Sequence, residues 1–196
     1  MPKLRIISGD LKGRYVITGD DIDFRPTQER VRESVAEIIK RKVPGASVAD
    51  LCSGSGAMGF EMLSRGAARA DFVEIGGRVA DRIADNAKQL GVDGRVRVVR
   101  DDVRWFAGTA VGRYGIIYYD PPYDVAELRG LVPKLLSLLT GEGVLVYERR
   151  RLRHEKKAAD TGGKINIVDA RIYSDTVVEF YNGEEKNADS AIPGDV

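Results

Sequence analysis

SVADLCSGSGAMGFEMLSRG, residues 47–66, moves from a short apolar run (47–52) through a glycine turn (53–56) into a helical stretch that stops at Gly66. A strand passing through a glycine turn straight into a helix is the opening half of a βαβ unit. The same rhythm continues downstream. ADFVEI (70–75) is the next strand and GRVADRIADNAKQLG (77–91) the next helix; RVRVV (95–99) and GIIYYD (115–120) are two further strands. A helix is expected over VAELRGLVPKLLSLL (125–139), kinked or restarted by Pro133, and then a fifth strand, VLVYE (144–148). Alternation of this kind predicts an α/β fold, a doubly wound parallel sheet with helices on both faces. KINIVDARIY (164–173) and TVVEFYN (176–182) have no helix between them, so they are expected to pair antiparallel at the end of the sheet.

Upstream, LRIIS (4–8) and RYVIT (14–18) around the turn DLKG predict a hairpin. FRPTQERVRESVAEIIKRK (24–42) predicts a helix: Pro26 suits its first turn, and Val31, Val35, Ile38 and Ile39 form one apolar stripe. The chain therefore divides into an N-terminal hairpin and helix extension (1–43), a main domain (44–182) and an acidic tail (183–196) expected to be disordered.

Composition narrows the class. The chain has 196 residues, 43% hydrophobic and 31% charged, which is globular composition. Cys52 is the single cysteine, so no intramolecular disulfide exists, and with one histidine, His154, a structural zinc site has too few ligands. No apolar run approaches the roughly 20 residues of a membrane span, and the N-terminus has no signal-peptide core. A cytoplasmic monomer with no metal and no membrane partner is the expectation. The net charge of +1 is segregated. Lys3, Arg5, Lys12 and Arg14 face only Asp10, YERRRLRHEKK (147–157) is strongly basic, and the tail is acidic. Basic segments on a near-neutral chain point to a polyanion held on one face.

Gly54, Gly56 and Gly59 satisfy GxGxxG between strand and helix, and Glu74 lies 20 residues past Gly54 at the next strand end. Taken alone, this is also a dinucleotide fingerprint, with the acid on ribose hydroxyls. Asp50 discriminates. A carboxylate at this strand end would repel a pyrophosphate at the helix N-terminus, but it suits a cation such as the sulfonium of S-adenosylmethionine. The competing role for Asp50 is to complement the helix dipole. At the end of the third strand, Asp102, in preference to Asp101, is placed to accept from an adenine amine while the Val103 N–H donates to the ring; the remaining acid would cap the next helix.

The fourth strand runs into Asp120-Pro121-Pro122-Tyr123. An exocyclic base amine is a poor nucleophile because its lone pair is delocalised into the ring. Two acceptors on its hydrogens, the Asp120 carboxylate and the Pro121 carbonyl, would draw it toward tetrahedral geometry, and Tyr123 offers a face for an unstacked base.

With these residues in view, the chain resembles the class I S-adenosylmethionine-dependent methyltransferases that carry a (D/N)PP(Y/F) loop. More narrowly, it resembles the bacterial family that methylates guanine N2 in 16S ribosomal RNA. The likeness spans roughly residues 4–181: RIISGDLKGR (5–14), RPTQERVRES (25–34), DLCSGSGAMGFEMLSRGA (50–67), VEI (73–75), DPPY (120–123) and RIYSDTVVEFY (171–181). It implies a Rossmann-like seven-stranded methyltransferase sheet. Arg25 and Thr27 would lie at the methionine carboxylate, Asp50 and the Ser53, Gly54 and Gly56 backbone around the middle of the cofactor, Glu74 and Ile75 at the ribose, and Asp102 and Val103 at the adenine. RNA, or an assembling small subunit, would meet Lys12 and Arg14 of the hairpin, with Arg149, Arg150 and Arg151 as further candidates. The chain departs from the family pattern at Cys52 (commonly aromatic), at Gly76-Gly77 (usually a polar or acidic residue) and at Ser174 (usually glycine). The rival readings are adenine-N6 methylation of DNA or RNA, an inactive RNA-binding homologue, and a nicotinamide dehydrogenase, which gives the DPPY loop no role.

Overall fold

The computed structural model describes residues 2–19, 26–123, 125–152 and 167–183. The expected acidic tail and His154 fall outside them, as does most of the basic stretch beyond Leu152. The described chain forms β1 (Lys3–Arg5), β2 (Tyr15–Ile17), α1 (Pro26–Ile38), β3 (Ser47–Leu51), α2 (Ala57–Ser64), β4 (Arg69–Val73), α3 (Gly77–Leu90), β5 (Val96–Val99) and α4 (Val103–Thr109). It continues through β6 (Tyr114–Tyr119), α5 (Ala126–Arg129), α6 (Val132–Leu136), β7 (Leu139–Arg150), β8 (Ile167–Tyr173) and β9 (Thr176–Asn182).

β1 and β2 pair as an antiparallel hairpin, and the other seven strands form one sheet in the order β5-β4-β3-β6-β7-β9-β8. The pairs β5/β4, β4/β3, β3/β6 and β6/β7 are parallel, whereas β7/β9 and β9/β8 are antiparallel. The chain starts in the middle of the sheet, winds out to β5 and returns to β6. The strand order therefore reverses between β3 and β6, and ligands bind at the carboxyl ends of strands at such a switch point. Strand side chains alternate, so each face has its own core. Val48, Phe60, Phe72, Ile83, Ile116 and Val146 pack on the face covered by α1, α2, α3 and the hairpin. Leu51, Val73, Phe106, Ile117, Leu135 and Leu145 pack on the face covered by α4 and α6.

The hairpin is bolted to this frame by polar contacts. The Ile7 and Ser8 N–H groups donate to the buried Glu61 carboxylate at 2.8 and 3.1 Å. Asn86 of α3 accepts from the Ile17 N–H and donates back to the Ile17 carbonyl, both at 2.9 Å. Arg14, expected to meet RNA, donates to the Leu90 carbonyl at 2.8 Å and to Gln89 as well, so its cation complements the C-terminal end of α3.

One packing expectation needs correction. Ile38 is 40% exposed, and the buried face of α1 is Val31, Arg32, Val35 and Ala36, with Ile39 buried just past its end. The stripe turns toward Arg32 because that guanidinium reaches under the hairpin and donates to the Arg5 carbonyl at 2.8 Å. On α4, Phe106 packs into the core while its neighbour Trp105 is 53% exposed. The helical pattern around Pro133 splits into α5 and α6, with proline in the first turn of the second, where its missing N–H costs nothing.

Candidate active site

The glycine turn after β3 is a strained, internally bonded bend. Cys52, Gly54 and Gly56 have φ of 57, 51 and 73°, all in the left-handed region. That region is uncommon for a side chain such as Cys52. Five N–H groups across the turn and the start of α2 have protein acceptors. Ser53 donates to the Val73 carbonyl (3.1 Å) and Gly56 to the Ser53 carbonyl (2.7 Å). Gly54 donates to Glu74 Oε2 (2.9 Å), Ala57 to Ser55 Oγ (3.3 Å) and Gly59 to Asp50 Oδ2 (2.8 Å). A phosphate nest needs those N–H groups pointing at the ligand; here they are taken by carboxylates, carbonyls and the Ser55 hydroxyl. The Ser53 hydroxyl also turns inward, to the Asp50 carbonyl at 2.6 Å, so Ser53 shapes the loop.

Gly59 shows how tightly this corner is packed. A Cβ there would lie 2.3 Å from Phe72 Cε1 and 3.0 Å from Asp50 Oδ2. Gly59→Ala is therefore expected to destabilise the fold by about 1–3 kcal/mol, overpacking outweighing the better helix propensity of alanine. Urea unfolding of the variant checks it, and an unchanged midpoint would contradict the packing described.

Past the loop lies a cavity of about 820 Å³ along the carboxyl ends of the strands. At one end it is lined by Glu74, Ile75, Asp102 and Val103, near its middle by Cys52 and Asp120, and at the other end by Pro121, Pro122, Tyr123, Glu148, Arg150 and Thr176. α1 contributes Val31. Of the expected cofactor residues, Glu74, Ile75, Asp102 and Val103 reach the wall, whereas Asp50, Ser53, Gly54 and Gly56 stand behind it. Arg25 is outside the described residues, and Thr27 is placed only as a member of the first turn of α1.

Glu74 is fixed from both sides, accepting from the Gly54 N–H through Oε2 and from the Gly76 N–H at 2.8 Å through Oε1. Gly76, a departure from the family pattern, thus helps to hold the acid. Asp102 caps α4, accepting from the Arg104 N–H at 2.7 Å, and pairs with the Arg104 guanidinium, which holds its carboxyl below the usual range. The cap role foreseen for whichever acid did not meet adenine falls on Asp102 itself, while Asp101 accepts from the Asp102 N–H at 2.7 Å. Val103 is the first residue of α4, so its N–H has no acceptor within the helix.

Asp50 is 2% exposed. Burial, opposed by the Gly59 N–H and reinforced by Asp120 and Glu74, pushes its carboxyl up to about 8. Its bond to Gly59 in the first turn of α2 is the competing helix-terminus role, realised through Oδ2. Burial also pushes the Cys52 thiol up to about 12, so it is a neutral wall at neutral pH.

Asp120 follows β6, and burial pushes its carboxyl up to about 6. Neither of its oxygens takes a hydrogen bond from another described residue. Pro121 is buried, and Tyr123 is 36% exposed with its hydroxyl 3.4 Å from Thr176 Oγ1. Sequence reasoning passed over Glu148 and Thr176, and placed Arg150 only among the RNA-contact candidates. The first of these was legible as an acid at a strand end, but it was counted as one charge in a basic run. Arg149 is corrected: it is 5% exposed and sealed in an ion pair with Glu179 at 2.7 Å, the Tyr181 hydroxyl completing the cluster at 2.6 Å, so it is no surface contact. Ser174, where glycine was expected, does adopt a left-handed φ of 54° in the β8–β9 turn.

This sheet, with the DPPY loop at its switch point, defines a class I S-adenosylmethionine-dependent methyltransferase. The chain belongs to the family described as conserved hypothetical protein 95, which matches residues 4–182. It is similar to the ribosomal RNA small subunit methyltransferase D of Escherichia coli K12, at 34% identity over 74% of this chain and 71% of that one. Among solved structures, the "Putative methyltransferase yhhF from Escherichia coli" superposes at TM-score 0.80 and 27% identity over 93% of this chain and 99% of its own. SMU.776, solved in complex with SAH, aligns over 86% of this chain and 53% of its own at TM-score 0.67; at 18% identity that is a likeness of fold.

Proposed function

We propose that the protein methylates the exocyclic N2 amine of a guanine in 16S ribosomal RNA, using S-adenosylmethionine. The observation that carries the reading is Asp120: a carboxylate without a donor among the described residues, followed by a buried proline and a half-exposed tyrosine, in the cavity that also holds Glu74 and Val103. The substrate class comes from relatives named as small-subunit ribosomal RNA methyltransferases.

The residues present fit the cofactor. Glu74 has lone pairs left for ribose hydroxyls after accepting two N–H bonds, each worth on the order of 1.5–3 kcal/mol when charge-assisted. The Val103 N–H and the Asp102 carboxylate suit an adenine edge. Asp50, Glu74 and Asp120 converge without a paired cation among the described residues, which favours a positively charged ligand over a pyrophosphate. When bound, the cofactor supplies a methyl group activated on a sulfonium. The chain's part is to accept the amine hydrogens at Asp120 Oδ and the Pro121 carbonyl, to seat the base against Tyr123, and to exclude water. Asp120 is then the nearest acceptor for the proton the amine loses. Lys12, Arg150 and Arg151, all exposed, would serve the RNA backbone.

The test is transfer of labelled methyl groups to small ribosomal subunits and to ribosomal RNA lacking the modification, with duplex DNA alongside and chromatographic identification of the labelled nucleoside. N2-methylguanosine in 16S RNA is expected. Label only as N6-methyladenine would overturn the base, and label only in DNA the substrate.

A further inference from the structure

We infer that Glu148 recognises the target base by accepting the N1–H of guanine, beside the N2 amine held at Asp120. The inference rests on the guanine-N2 reading and names the residue that would enforce it.

β6 and β7 are parallel and in register at Tyr119 and Tyr147, so the next residues along, Asp120 just past the end of β6 and Glu148 in β7, stand side by side. Adjacent strands lie about 4.8 Å apart, a spacing suited to two neighbouring donors on one base edge. Both acids line the same cavity, on its Tyr123 side and away from Glu74 and Asp102. Glu148 is buried, and its Oε1 accepts the Tyr118 hydroxyl, which fixes the carboxyl in one orientation. Its Oε2 has no donor among the described residues. The pair therefore offers three unclaimed oxygens, two on Asp120 and one on Glu148.

Among the bases with exocyclic amines, guanine alone carries a donor next to the amine. Adenine N1 and cytosine N3, which flank the amines of those bases, are acceptors and would set a lone pair against Glu148. Burial and the nearby Asp120 push the Glu148 carboxyl up to about 8, against the Tyr118 bond, so in the free protein it is held mostly as the acid at neutral pH. Accepting the N1–H draws it to the carboxylate, whose free oxygen can only accept, so the preference for guanine is sharpest above about pH 8, where no acid O–H remains to donate to an acceptor at N1.

The experiment uses small subunits reconstituted on 16S RNA in which the methylated position carries either guanine or 2-aminopurine. The analogue keeps the N2 amine but has an acceptor at N1. The wild-type enzyme is expected to prefer guanine by about 100-fold or more in kcat/KM, as a site built around a donor rejects an analogue lacking it. Glu148→Gln, which can turn an amide N–H to that acceptor, is expected to shrink the preference to about tenfold or less. Tyr118→Phe, which frees the carboxyl to rotate, should give an intermediate ratio. Calorimetric affinity for S-adenosylmethionine should stay within about twofold in both, showing an intact fold. Lower rates with an unchanged base ratio would make Glu148 a structural support and overturn the inference. Absence of N2-methylguanosine from the wild-type enzyme is a different result, which overturns the guanine reading and this inference with it.

Discussion

Asp120→Ala lowers kcat by about 10³-fold and moves the Kd for S-adenosylmethionine by less than about threefold. The size of the first effect follows from what the carboxylate does. It takes a hydrogen of an amine whose lone pair must leave the ring's conjugation, and it then accepts the departing proton; positioned groups in such roles contribute about 10²–10⁴-fold. The small second effect has a structural reason. Asp120 stands at the end of β6, on the substrate side of the switch point, while Glu74 follows β4, and Asp102 and Val103 follow β5. Removing its charge weakens the field on a cation, yet it also relieves Asp50, whose carboxyl Asp120 helps to push up. The two consequences oppose each other in cofactor affinity. Asp120→Asn keeps one acceptor oxygen and should lose less, about 10–10²-fold. Single-turnover methylation together with calorimetry separates the two quantities. Equal losses in kcat and affinity would place Asp120 in the cofactor site, and a variant with wild-type turnover would remove it from the chemistry.

The parallel core of the sheet was readable because each strand is a short apolar run closed by glycine or aspartate, and each helix announces its period. The same punctuation exposed Glu74 and Asp120, since both sit at strand ends where sequence position and spatial position coincide. What failed to show was which partner a polar residue takes across the sheet. Arg149 looks like one of three surface arginines, but β7 runs on to Arg150 beside β9, and strand alternation turns Arg149 inward onto Glu179. Glu148, its neighbour in sequence, consequently faces the opposite way, into the cavity. Arg14 looked available until the fold brought the last carbonyls of α3 within its reach. Ile38 fits the local period, and only the docking of hairpin and helix decides that Arg32 is buried while it is not. Pairings of this sort span 27 to 76 positions in the chain, beyond the reach of any local pattern.

Asp50→Asn is expected to make the protein more stable and a weaker binder of the cofactor, with both effects growing as pH rises. The side chain is fully buried, and Asn retains an acceptor for the Gly59 N–H, so the exchange removes a charge with little change of shape. The wild-type carboxyl ionises near 4 when unfolded and at about 8 when folded. Between those values the unfolded chain has shed a proton that the native state keeps, so wild-type stability falls as pH climbs. Asparagine has no such loss. The variant's advantage is absent below about pH 4, amounts to about 4 kcal/mol at pH 7 and levels off above 8. For a chain of this size that raises Tm by about 8–16 °C. Cofactor binding has the opposite sign. A sulfonium near the buried acid favours its ionised form, so wild-type affinity should rise with pH up to about 8 and flatten beyond it. The variant should show no such rise and bind about 10- to 100-fold more weakly at pH 8, as expected for a charge pair several ångströms apart in a partly desolvated site. The product, S-adenosylhomocysteine, carries no charge on sulfur and should bind the two proteins with nearly equal affinity. Calorimetry of both ligands from pH 6 to 9, with thermal melts across the same range, reads every part of this. A wild-type affinity for S-adenosylmethionine that is flat in pH would mean that Asp50 only ties down the start of α2. A variant that melts below the wild type would mean that the carboxylate is stabilised by contacts its burial does not reveal.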